Sequence, residues 1–341
     1  MNSSKNKMDG ITILRFFAAF YVFIFHINMR APVDFGSHLN KTISNGAIGM
    51  SIFFMLSGFV LTYNYYDSQL LDYFKKRIAR IYPAYLCCGI ISFPFLFTDN
   101  LTSGQIISCL VLYLVCMQAW IYQSFSLWNF GGTWSVSVEM FFYSLFPYIL
   151  KIINKDNLIF ITLFAYGFSA VLVPISLIIG GPTVGSVYYA TPIFRLPEFI
   201  VGICAAMYFI NGKRINNITF YISVTMFFYA TTLSDVNMDT NYLIIPTLAL
   251  IICYLGNLEI TKNILTSCLI YLGDISYSFY LMQLPLLMYL DRNPDTFLRT
   301  HGIASWILVF LLNLAMAMLC WHFIEKNSIL RSLFLRKEAR A

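Results

Sequence analysis

The chain has 341 residues with 22 Lys or Arg and 16 Asp or Glu, so 11% are charged, against about 25% in a soluble domain. With 59% hydrophobic residues, 18% aromatics and a mean hydropathy of +0.70, so few charges cannot supply the polar shell of a water-soluble fold. A soluble enzyme and a disordered scaffold are excluded, and an integral membrane protein is expected. The net charge of +6 does not point to nucleic acid, because the basic residues fall in short clusters between apolar stretches, as in cytoplasmic loops.

Taken in chain order, the first apolar run, Ile11 to Met29, is longer than a signal-peptide core and lacks a small-x-small cleavage site, so it reads as a retained first membrane helix. About eleven apolar stretches follow one another, near 11–29, 46–65, 80–98, 105–122, 135–150, 158–180, 192–210, 215–233, 242–257, 264–290 and 302–324; spanning helices need roughly 17–25 residues each. The loops are short, and no linker or repeat marks a second domain, so one membrane domain is expected over 1–341, with a short cytoplasmic tail from about 326. Lys5 and Lys7 at one end, and Lys326, Arg331, Arg336, Lys337 and Arg340 at the other, place both termini inside by the positive-inside rule. An even number of crossings follows. The loops around 99–104 and 123–134 contain no Lys or Arg, so one of 80–98 and 105–122 is expected to re-enter or lie in the interface, which leaves about ten transmembrane helices. Lys75, Lys76, Arg77, Arg80, Lys151, Lys155, Lys213, Arg214 and Lys262 then fall inside, Asp235 and Asp239 outside; Arg292 and Arg299, in an external loop, go against the scheme.

Charges at membrane depth are costly unless paired or wet, and each marks a functional candidate. Arg15 and His26 are 11 residues apart, about three helical turns and roughly 16 Å, so they share one face. One stripe offers an anion-binding cation near the inner side and a titratable base near the outer side. The same pair also fits a snorkelling Arg and an interfacial His. Arg77 and Arg80, three apart at the inner end of a helix, suit phosphate by forked hydrogen bonds, or serve simply as topology-setting charge. Glu139 and Tyr143, one turn apart in Trp134–Pro147, place a carboxylate about one turn inside the external boundary, at a depth similar to His26, where it could orient the imidazole. Alternatively Glu139 pairs with Arg195, which stands before Glu198 in Phe194-Arg195-Leu196-Pro197-Glu198-Phe199. Ser57-Gly58-Phe59 reads as close helix packing through small residues. The eight Cys are scattered, without CxxC pairs or His at metal-ligand spacing, so they are expected to pack as small apolar residues, with no disulfide framework and no metal.

In this order the residues resemble the integral-membrane acyltransferase family 3, which includes bacterial O-antigen and exopolysaccharide O-acetyltransferases. The matching pieces are Gly10-Ile11 with Arg15 and His26; Gly49 through Ser57-Gly58-Phe59; Arg77-Ile-Ala-Arg80 with Pro83; Trp134-Ser135 through Glu139, Tyr143 and Pro147; Arg195 through Glu198-Phe199 and Gly202; Ile275-Ser276-Tyr277 with Tyr280-Leu281 and Pro285; and Phe323-Ile324-Glu325. The resemblance implies a ten-helix domain that moves an acetyl group from cytoplasmic acetyl-CoA to a carbohydrate hydroxyl, on a lipid-linked or surface glycan, at the external face of the bacterial inner membrane. It implies Arg15, His26, Arg77 and Arg80 as the functional core; depth in the membrane then suggests the arginines as the donor-binding set, His26 as base and Glu139 orienting His26. Tyr143, Arg195, Glu198, Ser57 and Gln283 fall on the acceptor side or behind it. No tightly bound cofactor is implied, membrane lipids surround the domain, and the oligomeric state is left open. Two departures stand out: Gln283 occupies a place where the family often has His, and the final Glu-x-Pro pattern becomes Glu325-Lys326-Asn327. No esterase-like domain is appended, so acceptor choice is expected within the membrane domain. The rival function is a transporter or flippase of a glycan or small polar substrate, whose path the same polar residues could line.

Overall fold

In lipid every backbone N–H and C=O must find a partner within the protein, and an apolar segment meets that demand as a helix. The computed structural model, which describes residues 8–67, 70, 72–98, 101–180, 186–233 and 241–327, is helical at each of the eleven apolar stretches and has no strand among the described residues. The helices are α1 (Asp9–Arg30), α2 (Ser37–Ser44), α3 (Gly49–Tyr65), α4 (Tyr73–Ser92), α5 (Ser103–Leu114), α6 (Phe130–Ile152), α7 (Leu158–Gly180), α8 (Ser186–Ala190), α9 (Pro192–Ile210), α10 (Asn217–Leu233), α11 (Ile245–Gly256), α12 (Ile264–Asp274), α13 (Ser276–Arg292), α14 (Phe297–Thr300) and α15 (Ile303–Cys320). Lys5, Lys7, Asp235, Asp239, Arg331, Arg336, Lys337 and Arg340, used above to orient the chain, lie outside the described residues.

Six described helical segments are long and apolar enough to cross a membrane: Asp9–Arg30, Ser37–Tyr65, Tyr73–Phe97, Leu158–Ile175, Pro192–Ile210 and Ile303–Glu325. A seventh is α12 with α13, a pair broken at residue 275. The protein is thus an all-α, multi-pass membrane protein. The arrangement that reaches ten crossings adds α6, α10 and α11 and leaves out α5, which at 12 residues is about 18 Å long, short of the ~30 Å hydrocarbon core. Of the two stretches between which parity could not choose, the first is long enough to span and the second is not.

The chain forms two compact units, each assembled from discontinuous segments. The first contains residues 1–25, 35–69 and 145–274. In it α3 packs along α9 through a reciprocal pair of glycines: a methyl carbon at Gly58 would stand 2.2 Å from the Phe199 carbonyl oxygen, and one at Gly202 2.1 Å from that of Met55. Only glycine permits so close an approach. Ile52, Met55, Phe59, Val201, Leu248 and Ile252 close the core around this seam.

The second unit contains residues 26–34, 70–144 and 275–341, with α13 packed on α4 and α15. Pro285 removes an N–H that would have reached the Leu281 carbonyl, and the Cys88 thiol donates to that oxygen instead, at 3.3 Å. The buried Asn313 amide donates to the Phe279 carbonyl at 3.1 Å. On the other side of α4, α5 is held by a mutual clasp: Tyr85 OH donates to the Tyr113 carbonyl (2.8 Å) and Tyr113 OH to the Tyr85 carbonyl (2.6 Å), with the rings stacked at 4.0 Å. Past α5 the backbone turns back through Cys116 (φ 55°) and Trp128 (φ 46°). Gln118 fastens this return by donating to the Thr133 carbonyl at 2.9 Å and to Tyr85 OH at 3.1 Å. The cysteines are all free, and six of the eight are buried.

Arg292 and Arg299, the two cations that go against the expected orientation, sit against backbone carbonyls, most of them at helix ends. Arg299 donates to the Arg30 carbonyl closing α1 (2.8 Å) and to the Leu290 carbonyl near the end of α13 (3.1 Å). Arg292 donates to the Met288 carbonyl at 3.0 Å and lies over the Phe95 ring. A cation satisfies the negative end of a helix, which accounts for both exceptions.

Candidate active site

His26 lies one turn before the end of α1, half-buried, in the second unit. Its Nδ1 is 3.3 Å from the Gln283 Oε1 on α13. The Gln283 side chain is fully buried, and its Nε2 donates to the Tyr280 carbonyl at 2.9 Å. That bond fixes which end of the amide faces the imidazole. Since an amide oxygen only accepts, Nδ1 carries the proton and the lone pair of the neutral ring is on Nε2. Tyr280 extends the chain: its hydroxyl donates to the Gly132 carbonyl and accepts from Ser135 Oγ at 3.0 Å. One turn beyond His26, Arg30 donates to the His26 carbonyl (3.1 Å) and pairs with Asp291 at 2.7 Å.

These bonds set the register of α6 against α13. A methyl carbon at Gly132 would meet the Leu284 side chain, and Ser135 meets Tyr280, so the two helices run antiparallel. Glu139 follows Gly132 by seven residues, about 10 Å along the axis. It accepts from Tyr143 OH at 3.2 Å and, with Glu325, is within electrostatic reach of Tyr277. Tyr277 in turn donates to the Ile81 carbonyl at 3.1 Å, beside Arg80. Glu139 therefore sits at the level of the α4 arginines rather than at that of His26. The orienting bond on the imidazole comes from Gln283. Depth counted from residue 135 placed Glu139 too far out, because α6 begins five residues earlier, at Phe130.

Arg77 and Arg80 lie on one face of the first two turns of α4, both half-buried. Arg15 is half-buried on the α1 segment of the first unit. Also in the first unit, Arg195 is fully buried and pairs with Glu198, one turn on, at 3.0 Å. It donates to Ser51 Oγ at 3.0 Å and stands over the rings of Phe54 and Tyr189. Arg195, the alternative partner for Glu139, thus has a carboxylate on its own helix, reached through Nη2, while its buried Nε and Nη1 make no hydrogen bond among the described residues. Ser57 is half-buried next to the glycine seam. Residues to which the sequence assigned no role are Arg30 and Asp291, and also Ser135 and Tyr280, which appear only among the pieces of the resemblance; uncharged or near a helix end, they carry no anomaly in a linear reading. Among the described residues no cluster of three His, Cys, Asp or Glu side chains could hold a metal.

A family model described as an acyltransferase domain matches residues 8–323. The helical membrane fold and this match together define a membrane acyltransferase. The chain belongs to the integral-membrane acyltransferase family 3. It is similar to the acyltransferase MdmB of Streptomyces mycarofaciens, 27% identical over 84% of this chain and 80% of that protein. It is also similar to the O-acetyltransferase OatA of Staphylococcus aureus (strain NCTC 8325 / PS 47), 24% identical over 94% of this chain but 57% of that protein, so the chain spans little more than half of OatA. The nodulation protein 10 of Rhizobium leguminosarum bv. viciae is 29% identical over 44% of this chain and 46% of its own length. No solved structure matches the chain.

Proposed function

We propose that this protein transfers an acetyl group from acetyl-CoA to a carbohydrate hydroxyl, with His26 as the general base. The observation that carries the proposal is the His26–Gln283–Tyr280 chain, which favours the tautomer with its lone pair on Nε2. Nε2 removes the proton of the acceptor hydroxyl as its oxygen forms a bond to the thioester carbonyl carbon. The tetrahedral centre collapses, the carbon–sulfur bond breaks, and the departing thiolate takes the proton back from the imidazolium. Base and acid are the same ring, so no net proton is consumed.

Arg77 and Arg80, with Arg15, hold the donor phosphates by charge-assisted hydrogen bonds. Glu139 and Tyr143, at the arginine level, line the donor end of the site. The acceptor is a lipid-linked or surface glycan, the membrane is the bacterial inner membrane, and both termini face the cytoplasm. The name of OatA, an O-acetyltransferase, supports the acetyl donor and oxygen acceptor. The test is transfer of radiolabelled acetyl from acetyl-CoA to membrane glycan by the purified chain in proteoliposomes. His26→Ala is expected to lower transfer by about 10²–10⁴-fold, the usual worth of a general base, while the protein still inserts; full activity in that variant would exclude the assignment.

A further inference from the structure

The first unit carries an apolar groove that the transfer reaction does not use. It encloses about 280 Å³ and is lined by Leu158 and Leu163 of α7, Cys204 and Ala205 of α9, and Ala249 and Cys253 of α11. Small side chains on α9 and α11 make the depression. Its outer wall, with Ile159 and Leu163 three-quarters and two-thirds exposed, faces the side where lipid lies. The volume is near the lower end of ligand pockets, about 300–1,000 Å³, and the shape is a slot along helices rather than a closed chamber.

One end of the slot is basic. Leu158 begins α7, Ile215 precedes α10, and Cys253 is in the last turn of α11, so three connections meet there: 153–157, 211–216 and 257–263. They carry Lys155, Lys213, Arg214 and Lys262 against Asp156 and Glu259. Lys155 and Lys213 are exposed. Arg214 is pinned, donating to the Phe209 carbonyl at 2.8 Å and lying over the Phe209 ring at 4.4 Å. By the positive-inside rule this is the cytoplasmic end, where anionic lipids concentrate.

We infer that this groove is a binding site for one anionic diacyl phospholipid, with an acyl chain in the α7–α9–α11 slot and the phosphate between Lys155 and Lys213. A neutral lipid would satisfy the slot and leave the lysines unused; a polar ligand would satisfy the lysines and leave the slot empty. An anionic lipid answers both, and the inference is independent of the transfer chemistry.

The test is native mass spectrometry of the purified full-length chain, titrated in detergent with palmitoyl-oleoyl phosphatidylglycerol and, separately, with the phosphatidylcholine of the same chains. One phosphatidylglycerol is expected to bind at least ten-fold more tightly than phosphatidylcholine. The exposed lysines should each contribute about five-fold, the weight of one basic residue at an anionic surface. Lys155→Gln with Lys213→Gln therefore lowers phosphatidylglycerol affinity about 25-fold, and Ala249→Trp, which fills the slot, removes the tight site for both lipids. Equal binding of the two lipids would overturn the inference, as would wild-type affinity in the lysine pair, whose exposed positions leave folding untouched. So would a dimer that Ala249→Trp converts to monomer, since the occupant would then be a second copy of the chain.

Discussion

An imidazole inside a membrane helix needs a partner that neither adds charge nor rotates, and Gln283 supplies one. Its amide is locked by the Tyr280 carbonyl, so it can only accept from His26. Gln283→Leu is expected to lower kcat by about five-fold or more, the worth of one hydrogen bond of roughly 1 kcal/mol, with KM for acetyl-CoA unchanged. Gln283→His, whose ring nitrogen can accept the same proton, should recover part of the loss. Steady-state kinetics with varied donor would show it; a KM effect without a kcat effect would place Gln283 in donor binding instead. His26 was legible in the sequence because a titratable residue in an apolar helix is an anomaly by itself. Its partner was not, since 257 residues separate them and an uncharged amide costs the bilayer little. The one hint was that Gln283 stands where the family often has a histidine. The Arg195–Glu198 pair was missed in favour of Glu139 as the partner of Arg195, although a spacing of one turn on a helix brings the two together.

Helices in this protein are joined by features that hydropathy does not see. The Gly58–Gly202 seam brings α3 and α9 to backbone contact, so Gly202→Ala is expected to cost about 1–3 kcal/mol by overpacking, read as a lower unfolding midpoint in detergent. Arg299 ties the ends of α1 and α13 through two carbonyls. Arg299→Ala should cost about 1–2 kcal/mol, whereas Arg299→Lys, with a single point charge in place of a fork, should restore only part of it. Existence and order of the helices followed from the apolar stretches, because lipid leaves the backbone no alternative. Their ends did not. The start of α6 at Phe130 is hidden by Gly131 and Gly132, and the break at residue 275 lies within what reads as one apolar run, 264–290.

Across the whole chain, helix length separates α5, too short to cross on its own, from the segments long enough to span. Cysteines introduced at Gly104 and Gln123, both exposed, are expected to react equally with a membrane-impermeant maleimide applied from outside, in a Cys268→Ser background. Labelling from opposite sides would make α5 a crossing and void the parity scheme. The all-helical, multi-pass character was legible from composition alone, while the division into two interleaved units was not, because each unit draws on three separate stretches of chain. The clasp between Tyr85 and Tyr113, and the hold of Gln118 on Thr133, have a consequence for biosynthesis. A 12-residue helix followed by irregular backbone offers the translocation machinery no stable inserted state of its own. Its long-range side-chain bonds run to α4, made before it, and to α6, made after it. Residues 103–129 can therefore complete these bonds only after Thr133 has been synthesised, so α5 and the return behind it are expected to settle after α4 and not before α6 begins.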